Sequence, residues 1–326
     1  MIVLNQKEVQ KLIPLKGIKK VVDAVEKAFG DYGTGSVQMP PKKYLLFDKY
    51  NGDLRIMPSY SKNLDMAGTK IVNVHPDNPK KGLKTVMASI LLNDPKTGLP
   101  IALMDATYIT AVRTGAAGAV AAKFLARKDS KVLGVVGAGA QAVTQIMATL
   151  AVIKIKTVKV FDLNEKVFLA LQKTMKGLGI KIEKAKDLPD VCDCDILVTT
   201  TPVRNPIIKR EWIKPGTHIN AIGADAEGKE ELDPQILKDG KIVIDDWAQA
   251  SHSGEINVPV AKGLIQEQDI YAMLGDIVCG KKPGRQNEKD ITIFDSTGLG
   301  VQDLYTAVLV YKLAKSKKIG KRVEII

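Results

Sequence analysis

The sequence predicts an α/β protein, a doubly wound parallel sheet domain inserted into a second, discontinuous α+β domain. Three observations predict it. Apolar β-branched runs alternate with amphipathic helical ones between Val132 and Ile244; strand-like runs follow one another through turns between Lys43 and Met104; and a long apolar helix from Val301 comes after the alternation has ended.

With 326 residues and 45% hydrophobic content, the chain can bury a substantial core in two domains of ordinary size. No apolar run reaches the ~18 residues that span a bilayer, and Met1 to Glu8 lacks the apolar stretch of a secretion signal, so a cytoplasmic location and no membrane partner are expected. Cys192, Cys194 and Cys279 are too few for a disulfide framework, and Cys-Asp-Cys has no second ligand pair for zinc. They read as free, buried thiols, and no metal is expected. A net charge of +12 raises nucleic acid as a partner, but the lysines are scattered over helices and turns with no recognition motif. A solvated basic surface that attracts small anions is the better reading.

In chain order, Asn5 caps a short helix through Leu12, and Val21, Val22, Val25, Ala28 and Phe29 form a helical stripe over 18–29, closed by Gly30 to Gly35. Residues 44–47 and 54–57 flank Asn51-Gly52 as a β-hairpin, and strands follow at 70–74, 86–92 and 100–104, implying an antiparallel or mixed sheet. An alanine-rich helix over 109–127 bridges to the next domain. There, strands at 132–136, 158–161, 180–183, 196–200, 218–222 and 242–244 are interleaved with helices at 142–152 and 165–176. A strand at 291–294, a helix from Val301 to about Lys315 and a last strand at 322–326 end the chain. The N-terminal sheet needs covering, so this helix is expected to return to it. The domains so drawn are 1–113 with 299–326, and 114–298.

The 132–136 strand runs into Gly137-Ala-Gly139-Ala-Gln141-Ala142 and then a helix, the variant G-x-G-x-x-A dinucleotide fingerprint of a Rossmann domain. The first glycine makes the turn, the second lets a pyrophosphate approach the backbone, and Ala142 permits close helix packing. Asp162 ends the next strand about 20 residues on, where a carboxylate holds the adenine ribose diol, which favours NAD over NADP. The plainer alternative is that Asp162 caps the helix beginning near Asn164.

Over nearly its whole length the chain resembles the ornithine cyclodeaminase and mu-crystallin family. The resemblance rests on Leu54-Arg-Ile-Met-Pro-Ser-Tyr60, Gly68-Thr-Lys-Ile-Val-Asn-Val-His-Pro-Asp-Asn-Pro79, Ala111-Val-Arg-Thr-Gly-Ala-Ala117, the Gly137 to Ala142 turn, Asn220-Ala-Ile-Gly-Ala-Asp-Ala-Glu-Gly-Lys-Glu-Glu-Leu232 and Asp295-Ser-Thr-Gly298. It implies a homodimer in which the N-terminal sheet, completed by C-terminal residues, forms the dimer interface and the substrate site, while the central domain carries NAD. Lys70 matches the family's active-site lysine and Asp225 its general acid/base. Without the resemblance, Lys70 would read as an edge-strand lysine facing solvent, and Asp225 as a loop aspartate in an acidic stretch with Glu227, Glu230 and Glu231. Lys42, Arg55 and Arg113 match positions that hold the substrate carboxylate, and Arg113 is also placed toward the cofactor phosphates. The cofactor set implied is Arg113, Thr114, Gly137, Gly139, Ala140, Gln141, Asp162, Thr200, Gly223, Lys229, Ser296 and Gly298, with Asp295 beside the last two. A simple N-cap for the next helix is the alternative for that stretch. His75, before Pro76, reads as loop structure because it lacks partner metal ligands.

Arg55 narrows the activity, because the ornithine cyclodeaminase pattern carries an acidic residue there to receive the distal ammonium. The reading expected is therefore an NAD-dependent alanine dehydrogenase acting on a small amino acid or 2-oxo acid. Alternatives are an ornithine cyclodeaminase, a cyclic ketimine reductase, and a non-catalytic small-ligand binder.

Overall fold

Helix Thr107–Leu125, rich in alanine, contains the boundary between two structural units: Met1–Arg113 together with the chain from Leu299, and Thr114–Gly298. The structure is a computed structural model that describes residues 1–324.

In the first unit the sheet runs in the order Lys321–Arg322, Ile2–Leu4, Pro100–Asp105, Val86–Asn93, Met66–Val74, Gly52–Ser61 and Val37–Gln38, with Lys43–Phe47 also on Gly52–Ser61. It is mixed, since Ile2–Leu4 pairs parallel with Pro100–Asp105 while its other neighbours are antiparallel. Strand Gly52–Ser61 extends beyond the expected 54–57 and passes through Pro58. Lys43–Phe47 covers one edge of it up to Ile56 and Val37–Gln38 resumes at Tyr60, so Pro58 sits where no neighbour on that side needs its missing N–H. Side chains alternate: Arg55, Met57, Ser59 and Ser61 are buried on one face, in register with Val72, Lys70 and Gly68 of the next strand. Helix Gly300–Lys317 packs on this face and against helix Lys19–Gly33. On the other face Leu45, Ile71, Met87 and Leu103 remain exposed.

Some boundaries differ from expectation. Helix Lys19–Gly33 continues past Gly30, because Gly33 is itself buried in the stripe. The final strand is Lys321–Arg322, earlier and shorter than 322–326, and Ile325 and Ile326 lie outside the described residues.

The second unit is an eight-stranded sheet in the order Lys181–Lys184, Thr157–Phe161, Val132–Val136, Ile196–Thr199, His218–Ala221, Thr292–Asp295, Lys241–Ile244 and Ile270–Met273, all parallel. Its strands are apolar in both directions: Leu133, Val135, Val158, Val160, Ile196 and Val198 face one core, and Val136, Leu197, Ile219, Ala221, Ile242 and Ile244 the other. Helices on both sides therefore cover it, which makes the unit doubly wound. Strand Ile270–Met273 and the short helices Leu188–Cys192, Pro234–Asp239, Trp247–Ser253 and Asn257–Ala261 escape the sequence reading, being too brief to show a period. Cys192 and Cys194 are buried free thiols, whereas Cys279 is only half-buried. Among the described residues no helix is long and apolar enough to cross a membrane.

Candidate active site

The strand order of the parallel sheet reverses at Val132–Val136, and the glycine turn leaves this strand at its carboxyl end. Gly137 has φ +92°, a left-handed conformation that favours glycine, and a Cβ there would crowd Thr200 Oγ1 at 3.0 Å. The Thr200 hydroxyl donates to the Gly137 carbonyl at 2.9 Å, latching the turn to the neighbouring strand. Gly139 differs: its φ is −70° and a Cβ would meet nothing within 4 Å. Gly139 is also the N-cap of helix Ala140–Leu150 and offers no side chain to the helix's first amides, while Ala140 beside it is exposed. Ala142 is fully buried, and Gln141 is half-buried with its Oε1 accepting from Thr144.

Asp162 lies at the end of the adjacent strand. Its Oδ2 accepts the Ala138 N–H and its Oδ1 the Asn164 N–H, both at 2.7 Å. The helix cap is Asn164 itself, whose side chain accepts from Lys166 N, so the cap alternative for Asp162 is set aside. The carboxylate instead ties the glycine turn to the second strand end.

Further along the same carboxyl edge, Asp225 is half-exposed and pairs with Lys229 at 2.6 Å. The stretch around it is not a solvated acidic run. Glu227 is exposed, but Glu230 and Glu231 are buried, because Glu231 turns inward to accept the Gly223 N–H at 2.9 Å. Thr114 is buried and its carbonyl accepts from Gln145. At the end of strand Thr292–Asp295 the N-cap alternative also falls: Leu299 precedes helix Gly300–Lys317, and Asp295 accepts from Ile256 N. Thr297 and Gly298 donate their amides to Asp245 at 2.7 Å each, and Gly298 takes φ +78°. Ser296 Oγ is buried with no hydrogen-bond partner among the described residues.

In the first unit, Lys70 is not at an edge. It lies in the central strand Met66–Val74 and is 1% exposed, with its Nζ 2.7 Å from Asp303 on helix Gly300–Lys317. Asp303 also accepts from Arg113 Nε at 3.0 Å, and the neighbouring Gln302 takes Arg113 NH1 at 2.9 Å. Burial, followed by the Arg113 charge, lowers the Lys70 ammonium from its usual 10.5 to about 7; Asp303 opposes the shift and Lys42 adds to it. Arg55 shares this face of the sheet, one cross-strand pair away from Lys70. Two of its guanidinium nitrogens grip Asp53 at 2.9 and 3.0 Å, and it lies over the Tyr44 ring at 5.4 Å. Its fork is thus directed in part at Asp53. Lys42 is half-buried. His75 stacks on Phe47 at 6.0 Å, a packing role.

The structure therefore gathers Lys70, Arg55 and Arg113 in one unit, and the glycine turn, Asp162, Thr200, Gly223 and Ser296 along the carboxyl edge of the other. Asp303, Gln302, Asp53 and the buried His218 were missed. His218 is held between Thr292 and Asn220 at 3.0 Å each, with burial lowering it to about 3, so it is a neutral structural group. A signal for Asp303 existed: a Gln-Asp pair in the first turn of a helix that carries no other charged residue before Lys312.

A parallel sheet with a glycine turn at its switch point and a carboxylate ending the next strand is a Rossmann fold, here joined in one chain to an α+β unit with buried cations. The chain belongs to the ornithine cyclodeaminase/mu-crystallin family, whose pattern matches residues 1–318. It is 50% identical to an alanine dehydrogenase of Archaeoglobus fulgidus over 99% of this chain and 98% of that one. Among solved structures, an archaeal alanine dehydrogenase dimer with bound NAD superposes with TM-score 0.96 at 49% identity, covering 100% of this chain and 99% of the other. The Thermococcus litoralis Δ1-pyrroline-2-carboxylate reductase in complex with NADH and L-proline gives 0.95 at 41%, covering 99% and 100%.

Proposed function

We propose that this protein is an NAD-dependent amino-acid dehydrogenase that reversibly deaminates L-alanine to pyruvate and ammonia, and that it works as a homodimer. The observation that carries the reading is the buried cationic face of the first unit, an environment suited to a small α-carboxylate, in a chain half identical to an alanine dehydrogenase. The exposed apolar face of the same sheet supports the dimer.

The second unit fits a dinucleotide. Gly139 leaves open the space a Cβ would take, the helix behind it has no side-chain cap, and Ser296 Oγ is a buried hydroxyl without a partner. Gly137, Gly139, Ala140 and Gln141 would hold the pyrophosphate with Thr114 and Thr200 nearby, Asp162 the ribose diol, and Gly223, Lys229, Ser296 and Gly298 the nicotinamide half. Bound there, NAD⁺ would supply the acceptor for the hydride lost from the substrate Cα. This chain's residues do the rest. Lys70, Arg113, Arg55 and Lys42 receive the carboxylate and orient the amino acid, and a Lys70 amine near neutrality can also relay a proton. Asp225 draws a proton from the water that adds to the resulting imine, then returns one to the departing ammonia, with Lys229 holding its carboxylate in place.

A second reading, reduction of a cyclic imino acid, is favoured by the 41% identity to the pyrroline-carboxylate reductase. The same cations would hold its carboxylate. One assay separates the readings: NADH appearance with L-alanine supports the first, NADH consumption with Δ1-pyrroline-2-carboxylate the second, and proline formed from L-ornithine with neither would overturn both. The cofactor assignment is tested by Gly139→Ala. It should leave thermal stability unchanged yet weaken NADH binding about tenfold; unchanged NADH affinity would sink the assignment.

A further inference from the structure

The loop that carries Asp225 leaves strand His218–Ala221 and is closed by one buried carboxylate. Glu231 Oε2 accepts the Gly223 N–H at 2.9 Å and the Thr199 hydroxyl at 2.6 Å, while Oε1 accepts the Thr201 N–H at 2.7 Å and the Thr201 hydroxyl at 2.6 Å. Thr199 and Thr201 flank Thr200, the residue latched to Gly137. The start of the Asp225 loop and the end of strand Ile196–Thr199 are therefore joined through the Glu231 side chain, and Thr200 carries the connection on to the glycine turn. Gly223 is required by this closure, since a Cβ there would strike the Thr201 carbonyl and come within 2.6 Å of the Glu231 carboxyl carbon.

A second carboxyl group stands behind the first. Glu255 Oε1 accepts the Glu231 and Leu232 amides at 2.8 and 2.7 Å, and its Oε2 has no hydrogen-bond partner among the described residues. Both groups are fully buried. Burial and the Glu231 charge push Glu255 well above the usual carboxylate range, and Asp295 pushes the same way; Glu231 is raised by burial but opposed by its four donors. Burial and the neighbouring charge thus favour the protonated form of Glu255, while the four donors favour the charged form of Glu231.

We propose that Glu231 is a positioning residue: it closes the Asp225 loop onto the strand ends that bear Thr200 and the glycine turn, coupling the cofactor site to the proton-handling carboxylate. The proposal rests on the reading of the Gly137 turn as the NAD site and of Asp225 as the acid/base.

The isosteric pair Glu231→Gln and Glu255→Gln tests it, with NADH binding, kcat and KM measured against pH. A glutamine at 255 keeps the accepting oxygen and merely replaces a protonated acid, so NADH affinity and kcat should stay within about twofold of wild type. At 231 it turns a backbone N–H, which can only donate, against an amide NH2, so NADH affinity and kcat should each fall about tenfold or more. Wild-type NADH binding should weaken with rising pH as Glu255, held above the usual carboxylate range by burial and the Glu231 charge, loses its proton, and Glu255→Gln should remove that weakening. If Glu231→Gln does not fold, Thr199→Val removes one donor to Glu231 without changing shape, and a fall of about threefold in NADH affinity and kcat is expected. Equal damage from both glutamines, or wild-type behaviour of Glu231→Gln or of Thr199→Val, overturns the proposal. Wild-type protein that fails to bind NADH overturns the cofactor reading itself, a distinct result.

Discussion

Each unit buries a cluster of charges, and the two clusters are balanced in opposite ways. In the first, Lys70 and Arg113 share one carboxylate, Asp303, so two cations face a single anion. In the second, Glu231, Glu255, Asp245 and Asp295 are buried near the carboxyl ends of the parallel strands, and each accepts backbone N–H groups. Glu231 and Asp245, each with both oxygens met by donors of the chain, have found their partners in the folded state, so they hold loops in place. A cationic cluster short by one anion retains affinity for a further one, so it suits binding. Buried charge alone does not distinguish a site from a scaffold; the nature of its partners does.

The largest effect that would sharpen this contrast falls on the half-exposed carboxylate that belongs to neither cluster. Asp225→Asn should lower kcat by about 10² to 10⁴ while leaving NADH binding intact, because the amide cannot take up a proton. Retained turnover would remove Asp225 from the chemistry and leave the second unit with structural carboxylates only.

Lys70→Met comes next. The thioether fills the same volume, and Arg113 and Asp303 remain as a neutral pair, so unfolding temperature should hold or rise. The specificity constant kcat/KM should fall by about 10² to 10³. A variant that loses stability as well as activity would show that Lys70 is part of the scaffold. Asp303→Asn is the converse change. It leaves Lys70 and Arg113 facing each other, and should cost about 2 to 3 kcal/mol in denaturant unfolding, softened because Lys70 can shed its proton. Unchanged stability would mean that the cluster is not cation-rich as described.

The contrast between the clusters also explains what was legible in the sequence. The glycine turn, the alternation after Val132 and the discontinuous C-terminal helix are local patterns, and period, turn chemistry and chain order carry them. Lys70 and Arg55 could be singled out by resemblance, but their counter-ions could not. Asp303 stands 233 positions beyond Lys70 and reaches it only because helix Gly300–Lys317 returns to the sheet. The burial of Glu231 was hidden for a similar reason. Within the chain it reads as one of several acids around Asp225, and only the meeting of two strand ends supplies its four donors. Asp53 was two residues from Arg55 and still passed over, because alternate residues of a strand share a face and the pairing shows only once the strand is drawn.

The smallest effect is a pH dependence with two opposite signs. Lys70 titrates at about 7, lowered chiefly by burial and then by Arg113. A bound carboxylate favours the protonated amine, so affinity for an anionic substrate is full below that pH and falls as pH rises through it. KM for L-alanine should therefore climb by up to about tenfold per pH unit above neutrality, until the ammonium of the complex itself titrates. Folding stability runs the other way. The folded chain binds fewer protons at Lys70 than the unfolded chain between about 7 and 10.5, so this group's contribution to stability increases across that window. Lys70→Met should flatten both trends. A wild-type KM that stays level through this range would place the substrate carboxylate away from Lys70 and leave Arg113 and Arg55 as its holders. A stability curve that does not change in the variant would show that the amine is already solvated in the folded chain. Opposed slopes in the wild type, both lost together in Lys70→Met, are the outcome that only a desolvated amine awaiting an anion produces.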